Sequence, residues 1–175
     1  GEYELAYKQF NHAKCMSDQL SSFQALIENH NPYQKEVIER FYKLHREDVQ
    51  TIDRWFSVQS ISPSISVAGI RELMSHKLFT MKNPNRVRSV FGSFSQNHIQ
   101  FHCQEGYQLM TEVIIELDAL NPQIAARFAS VFNHWRRFTS HYSKLQKAEL
   151  KTISEVDNLS NNVYEIVHIA LEGKT

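Results

Sequence analysis

Histidine is the side chain best suited to hold a metal or move a proton near neutral pH, and this sequence has nine. The most diagnostic arrangement would be His-Glu-x-x-His on a helix, where two imidazoles one turn apart grip a metal and the glutamate acts as base. It is absent: none of His12, His30, His45, His76, His98, His102, His134, His141 or His168 is followed by Glu. One suggestive group remains, His98 and His102 at i, i+4 with Cys103 adjacent, which a helix would set on one face. No fourth ligand accompanies it, so partly exposed packing is the preferred reading. There is no Gly-x-Ser-x-Gly, no phosphate-cradling Gly-x-x-x-x-Gly-Lys-Ser/Thr and no Gly-x-Gly-x-x-Gly, and five glycines leave little room for one. The chain by itself carries no catalytic centre, metal site or cofactor motif.

Two Asn-Pro pairs say more. Asn83-Pro84 and Asn121-Pro122 read as helix starts, with Asn accepting from free first-turn N–H groups and Pro at the first helical position losing no needed donor. Each puts arginine within two turns of a terminus whose dipole already favours anions: Arg86 and Arg88 in the first, Arg127 in the second. Were the two starts to share a surface, Arg86, Arg88 and Arg127 would form a site for a carboxylate, with Gln123 at hand to hydrogen-bond a peptide group and Asn83, Asn85 and Asn121 in support. Alternatively these arginines pair with acidic neighbours and only stabilise the fold. Spacing alone favours that second reading. The basic, aromatic stretch His134 to Phe138 offers stacking surface for bases, but aromatics at helical spacing are usually core, and nucleic-acid binding is not expected.

The elements that must position these residues are helices. Apolar positions recur at helical spacing almost from end to end, punctuated by Ser, Asn, Asp and Pro. A first helix falls near Glu2 to His12; Ser17 caps a second bearing Leu20, Phe23 and Ile27; Asn31-Pro32 opens a third with Val37, Ile38, Phe41 and Leu44. A fourth runs from about Asp48 to Gln59 and ends at Ser62-Pro63, and a fifth from Ser66 to His76. Asn83-Pro84 begins one carrying Val87, Val90, Phe91 and Phe94; others follow over Gly106 to Leu120, after Asn121-Pro122, near Ser140 to Ile153 and near Ser160 to Leu171. About ten helices with short connectors predict an all-α fold, an armadillo- or HEAT-like superhelix of stacked helix pairs.

Composition bounds the rest. At 175 residues, 42% hydrophobic and 22% charged, the chain suits one domain over residues 1–175 with an apolar core. Lys+Arg (19) balances Asp+Glu (19), so no general attraction to polyanions is expected. Two distant cysteines, Cys15 and Cys103, fit a reducing compartment. No apolar run approaches the roughly twenty residues of a membrane span. Gly1-Glu2-Tyr3 does not look like a native start, and the chain reads as a piece of a longer protein.

The segment Phe79-Thr80-Met81-Lys82-Asn83-Pro84-Asn85-Arg86-Val87-Arg88-Ser89 resembles the signature Phe-Thr-Met-x-Asn-Pro-Asn-Arg-x-Arg-Ser of bacterial aminopeptidase N, of the zinc-dependent alanyl aminopeptidase family. Met16-Ser17-Asp18, Asp53-Arg54-Trp55-Phe56 with Gln59, Ser62-Pro63, Asn121-Pro122-Gln123 with Ala125 and Arg127, and Glu155 to Tyr164 extend the likeness in the same order. The resemblance implies the later part of an all-helical C-terminal domain that closes over a zinc exopeptidase. The zinc, its ligands and the catalytic glutamate would then lie in a catalytic domain outside this chain, and the partner would be a peptide substrate shared with that domain. It further implies that Arg88, Gln123 and Arg127 face an enclosed chamber, and that the protein is cytoplasmic. The alternative is a free-standing α-solenoid scaffold that binds a partner protein along its concave face.

Overall fold

The structure, a computed structural model, describes residues 2–173; Gly1, and with it the reading of the chain's start, lies outside them. Among the described residues there are ten α-helices and no strand: α1 Glu2–His12, α2 Met16–Ile27, α3 Gln34–His45, α4 Val49–Ile61, α5 Val67–Met74, α6 Pro84–Val87, α7 Gln104–Leu120, α8 Pro122–Ala129, α9 Ser140–Ser154 and α10 Asn161–Glu172. The expectation of an all-α fold holds. α6 runs directly into a π-turn, Arg88–Gly92, and 3-10 turns at Ser130–Phe132 and Trp135–Arg137 link α8 to α9. The described residues divide into two compact units, one of residues 2–79 and 85–98, the other of residues 80–84 and 99–173.

Helix starts follow the side chains that can accept from first-turn amides. Asp48 takes the N–H groups of Gln50 and Thr51, Ser66 that of Gly69, Asn121 that of Ile124 and Ser160 that of Val163. Two expected starts differ. α2 begins at Met16 after Cys15, so Ser17 lies inside the helix and caps nothing; the Gln19 N–H already closes the first turn on the Cys15 carbonyl. At Asn31-Pro32 the asparagine oxygen accepts from the Tyr33 N–H two residues on, an Asx turn that delays α3 until Gln34.

In the first unit, α1 packs on α2, α2 on α3 and α4, and α4 on the π-turn. Phe10, Phe23 and Phe41 meet at its centre with ring centroids 4.6 to 6.5 Å apart, all almost fully buried. Each such ring contributes about 1.5–3 kcal/mol by leaving water. In the second unit α7 packs against α8 and α9, and α10 closes on α8 and α9. Its core includes Tyr107, Met110, Ile114, Leu117, Phe128, Phe132, Leu150, Val163 and Val167. Tyr107 is wholly buried, and its hydroxyl accepts from Gln146 Nε2 at 3.0 Å and bonds His102 Nδ1 at 2.8 Å. Burial pushes the Tyr107 hydroxyl up to about 12. Such a group is a structural tie and not an acid for use near neutral pH.

No described helix is long and apolar enough to cross a membrane.

Candidate functional site

The two arginines of the Asn83-Pro84 start part company. Arg86 is 4% exposed; its Nε lies 2.8 Å from Asp53 Oδ1 of α4, and its guanidinium sits over the Phe56 ring with 4.8 Å to the centroid. Burial lowers its pKa, and the Asp53 charge opposes that. Arg86 thus meets the alternative weighed from sequence, a fold-stabilising ion pair, and Asp53 and Phe56 are the partners sequence reasoning missed. Asp53 and Phe56 stand together in the Asp53-Arg54-Trp55-Phe56 stretch, but nothing in one sequence ties a residue on α4 to one 33 positions later.

Arg88 opens the π-turn and is exposed; its Nη1 donates to Asn85 Oδ1 at 3.2 Å. π-turns are uncommon and recur at functional sites. Here the turn follows a helix of only four residues, and Ser89, Val90 and Phe91 within it are buried while Arg88 stays outside. Asn83 donates its backbone N–H to the Thr80 carbonyl at 3.2 Å immediately before α6.

In the second unit, Asn121 caps α8 with its side-chain oxygen 3.2 Å from the Ile124 nitrogen, and Pro122 occupies the first helical position. Gln123 and Arg127 follow at i, i+4, so both lie on one face of α8, and both are exposed. Arg127 has no carboxylate at ion-pair distance among the described residues. The opposite face of α8, Ile124, Ala125 and Phe128, is buried. The helix therefore fixes the polar pair outward on a backbone that its own cap and core hold rigid.

The suggested metal group is not formed. Residues 95–100 make turns, not a helix, so His98 and His102 do not share a helical face. His102 bonds Tyr107, and the Cys103 sulfur caps α7 by accepting from the Gly106 N–H at 3.3 Å. Among the described residues no three His, Cys, Asp or Glu side chains are grouped to hold a metal. In the His134 to Phe138 stretch, Trp135 is buried with its indole N–H donated to the Ala170 carbonyl at 3.0 Å. Arg136 donates to the carbonyls of Ala170 and Leu171 at 2.6 and 2.7 Å, neutralising the negative end of α10.

Capped, amphipathic helix pairs that begin at polar side chains define an all-helical repeat domain. The chain belongs to the family described as "Domain of unknown function (DUF3458_C) ARM repeats", whose model matches residues 1–172. Its relatives are enzymes: it is 31% identical over 171 residues to aminopeptidase N of Escherichia coli K12 and 33% identical over 172 residues to aminopeptidase N of Haemophilus influenzae. Those matches cover 95% and 96% of this chain and 20% of each relative, so the chain spans about a fifth of their length, in the C-terminal region. Among solved structures it is similar to a Legionella pneumophila aminopeptidase A crystallised in complex with aspartic acid, with a TM-score of 0.92, 29% identity, and coverage of 98% of this chain and 21% of that one.

Proposed function

We propose that this chain is the later part of the C-terminal domain of a bacterial, cytoplasmic zinc aminopeptidase that releases N-terminal residues from peptides, and that it closes the substrate chamber without taking part in the chemistry. The observation that carries the reading is the match to aminopeptidases along 93–96% of the chain, from the first helices to α10. The same match favours an enzyme domain over a free-standing scaffold. The residues of this chain do not fit a zinc ion, since no ligand group is assembled among those described. Zinc would be held by the remainder of the parent protein.

What this chain supplies is positioning. Arg88, Gln123 and Arg127 are exposed, and among the described residues neither arginine has an acidic partner, the condition a guanidinium needs if it is to receive a carboxylate from a substrate. Asn85 steadies Arg88, and Asn121 fixes the start of the helix that bears the other two. Gln123 and Arg127, on one face of α8, would bind the downstream half of a short peptide and hold it in register for cleavage at its N-terminus. In the full-length enzyme, Arg127→Ala is expected to raise KM for short peptides by about tenfold while leaving that for a single-residue amide nearly unchanged. Equal effects on both substrates would refute peptide binding at Arg127.

A further inference from the structure

The first unit bears a cavity of about 340 Å³, open to solvent, between α2, α3, α4, α5 and the loop leading into α5. None of Arg88, Gln123 or Arg127 lines it. Its wall is half apolar, with Ile27, Ile38 and Leu73, and half polar, and three of the polar groups have a definite hydrogen-bonding state.

Gln59 is only 8% exposed. One end of its carboxamide must be nitrogen, because it faces the Trp55 carbonyl at 2.9 Å and a carbonyl needs a donor. The other end, Oε1, is therefore an acceptor, and it has no partner among the described residues. Gln59 lines the pocket, where that oxygen can accept from a ligand N–H. His76, packed among the rings of Tyr42, Trp55 and Phe56, accepts the Leu78 N–H at Nδ1, 3.2 Å away. The remaining proton of the neutral ring is then on Nε2, a donor. Burial, together with Lys77 and Arg86, holds His76 below the usual histidine range, so the ring stays uncharged near pH 7. Glu72, one turn before it on α5, is exposed and has no ion-pair partner among the described residues.

An acceptor and a neutral donor are the complement of one amide group, the carboxylate at the rim is the complement of an ammonium, and the apolar wall suits a branched side chain. We infer that this cavity binds a small α-amino amide, one or two residues in size, with its amide between Gln59 and His76, its amine on Glu72 and its side chain against Ile27, Ile38 and Leu73. The volume, near the lower end of ligand pockets at roughly 300 Å³, suits that size. A free amino acid is disfavoured, because its carboxylate would face the Gln59 oxygen and the Glu72 charge with no cation on the lining to offset them.

The probe is D-leucinamide, whose inverted α-carbon disfavours turnover by a peptidase, with D-leucine as the acid control, soaked into crystals of the full-length protein and titrated by calorimetry. Expected is density for D-leucinamide in the cavity and none for D-leucine, with binding weakened about tenfold in Gln59→Leu and by a smaller factor in Glu72→Gln, but unchanged in Arg127→Ala. Glu72→Gln lies on the exposed rim, so its effect does not depend on whether the Gln59 variant folds. An empty cavity, equal occupancy by D-leucine, undiminished affinity in Glu72→Gln, or another segment of the full-length protein filling the space would each overturn the assignment.

Discussion

Arg86 and Arg88 stand two positions apart, yet one guanidinium is closed in against Asp53 and Phe56 and the other meets solvent. Their charge and spacing gave them equal standing in the sequence; the difference is created by α4, which brings a carboxylate and a ring to one and nothing to the other. Asp53→Ala strands a buried cation, so we expect a loss of about 3 kcal/mol in denaturant unfolding, while replacing both partners by apolar residues of similar size costs much less. A loss no larger for the single than for the double replacement would mean the pair is not buried in solution. The histidine and cysteine group fails for a related reason. His98, His102 and Cys103 have ligand chemistry, but the chain between them turns instead of coiling, and the sulfur is engaged in capping α7.

At the scale of elements the sequence was more readable, because a helix start is a local event. Asp48, Ser66, Asn121 and Ser160 all accept the amides that their types suggested, and the Asn83-Pro84 and Asn121-Pro122 pairs both begin helices. Ser17 misled because α2 starts earlier than its cap-forming type suggests, with Cys15 in the extended conformation before it. What no local pattern disclosed is that some caps are themselves held from afar. Asp118, 8% exposed on α7, accepts from the Ser160 backbone N–H at 2.7 Å and also from its hydroxyl. The Leu159-Ser160 pair that resembled the aminopeptidase pattern is thus a joint between α7 and α10. Ser160→Ala removes a cap and leaves a buried carboxylate short of a donor, so it should destabilise by about 2 kcal/mol, against about 1 kcal/mol for the simpler cap lost in Asn121→Ala. Thermal unfolding of the two variants side by side would test the difference, and equal shifts would show that Asp118 adds nothing.

For the molecule as a whole, acid is the informative perturbation. His45 and His76 are both held below the ordinary value of 6.5, chiefly by burial, with Asp48 opposing the effect at His45 and Lys77 and Arg86 adding to it at His76. Below pH about 6.5 the unfolded chain binds these protons more readily than the folded one, so stability is complete above that pH and falls as pH drops towards the folded-state values. The melting temperature should decline between pH about 7 and 5, and His45→Gln with His76→Gln should flatten the decline; an unchanged slope would exclude these two residues as its source. The helical architecture was legible because amphipathic periodicity repeats in every segment, whereas the cavity was not, since Gln59 and His76 acquire their meaning only from neighbours distant in sequence. The π-turn at Arg88–Gly92 carries a last consequence. A wide turn holds one residue more than an α-helix needs for the same advance, and each residue is worth about 100° of azimuth. Deleting a single residue there would set the outward guanidinium and the inward phenylalanine out of phase, so this stretch should tolerate substitutions in kind far better than any change in its count.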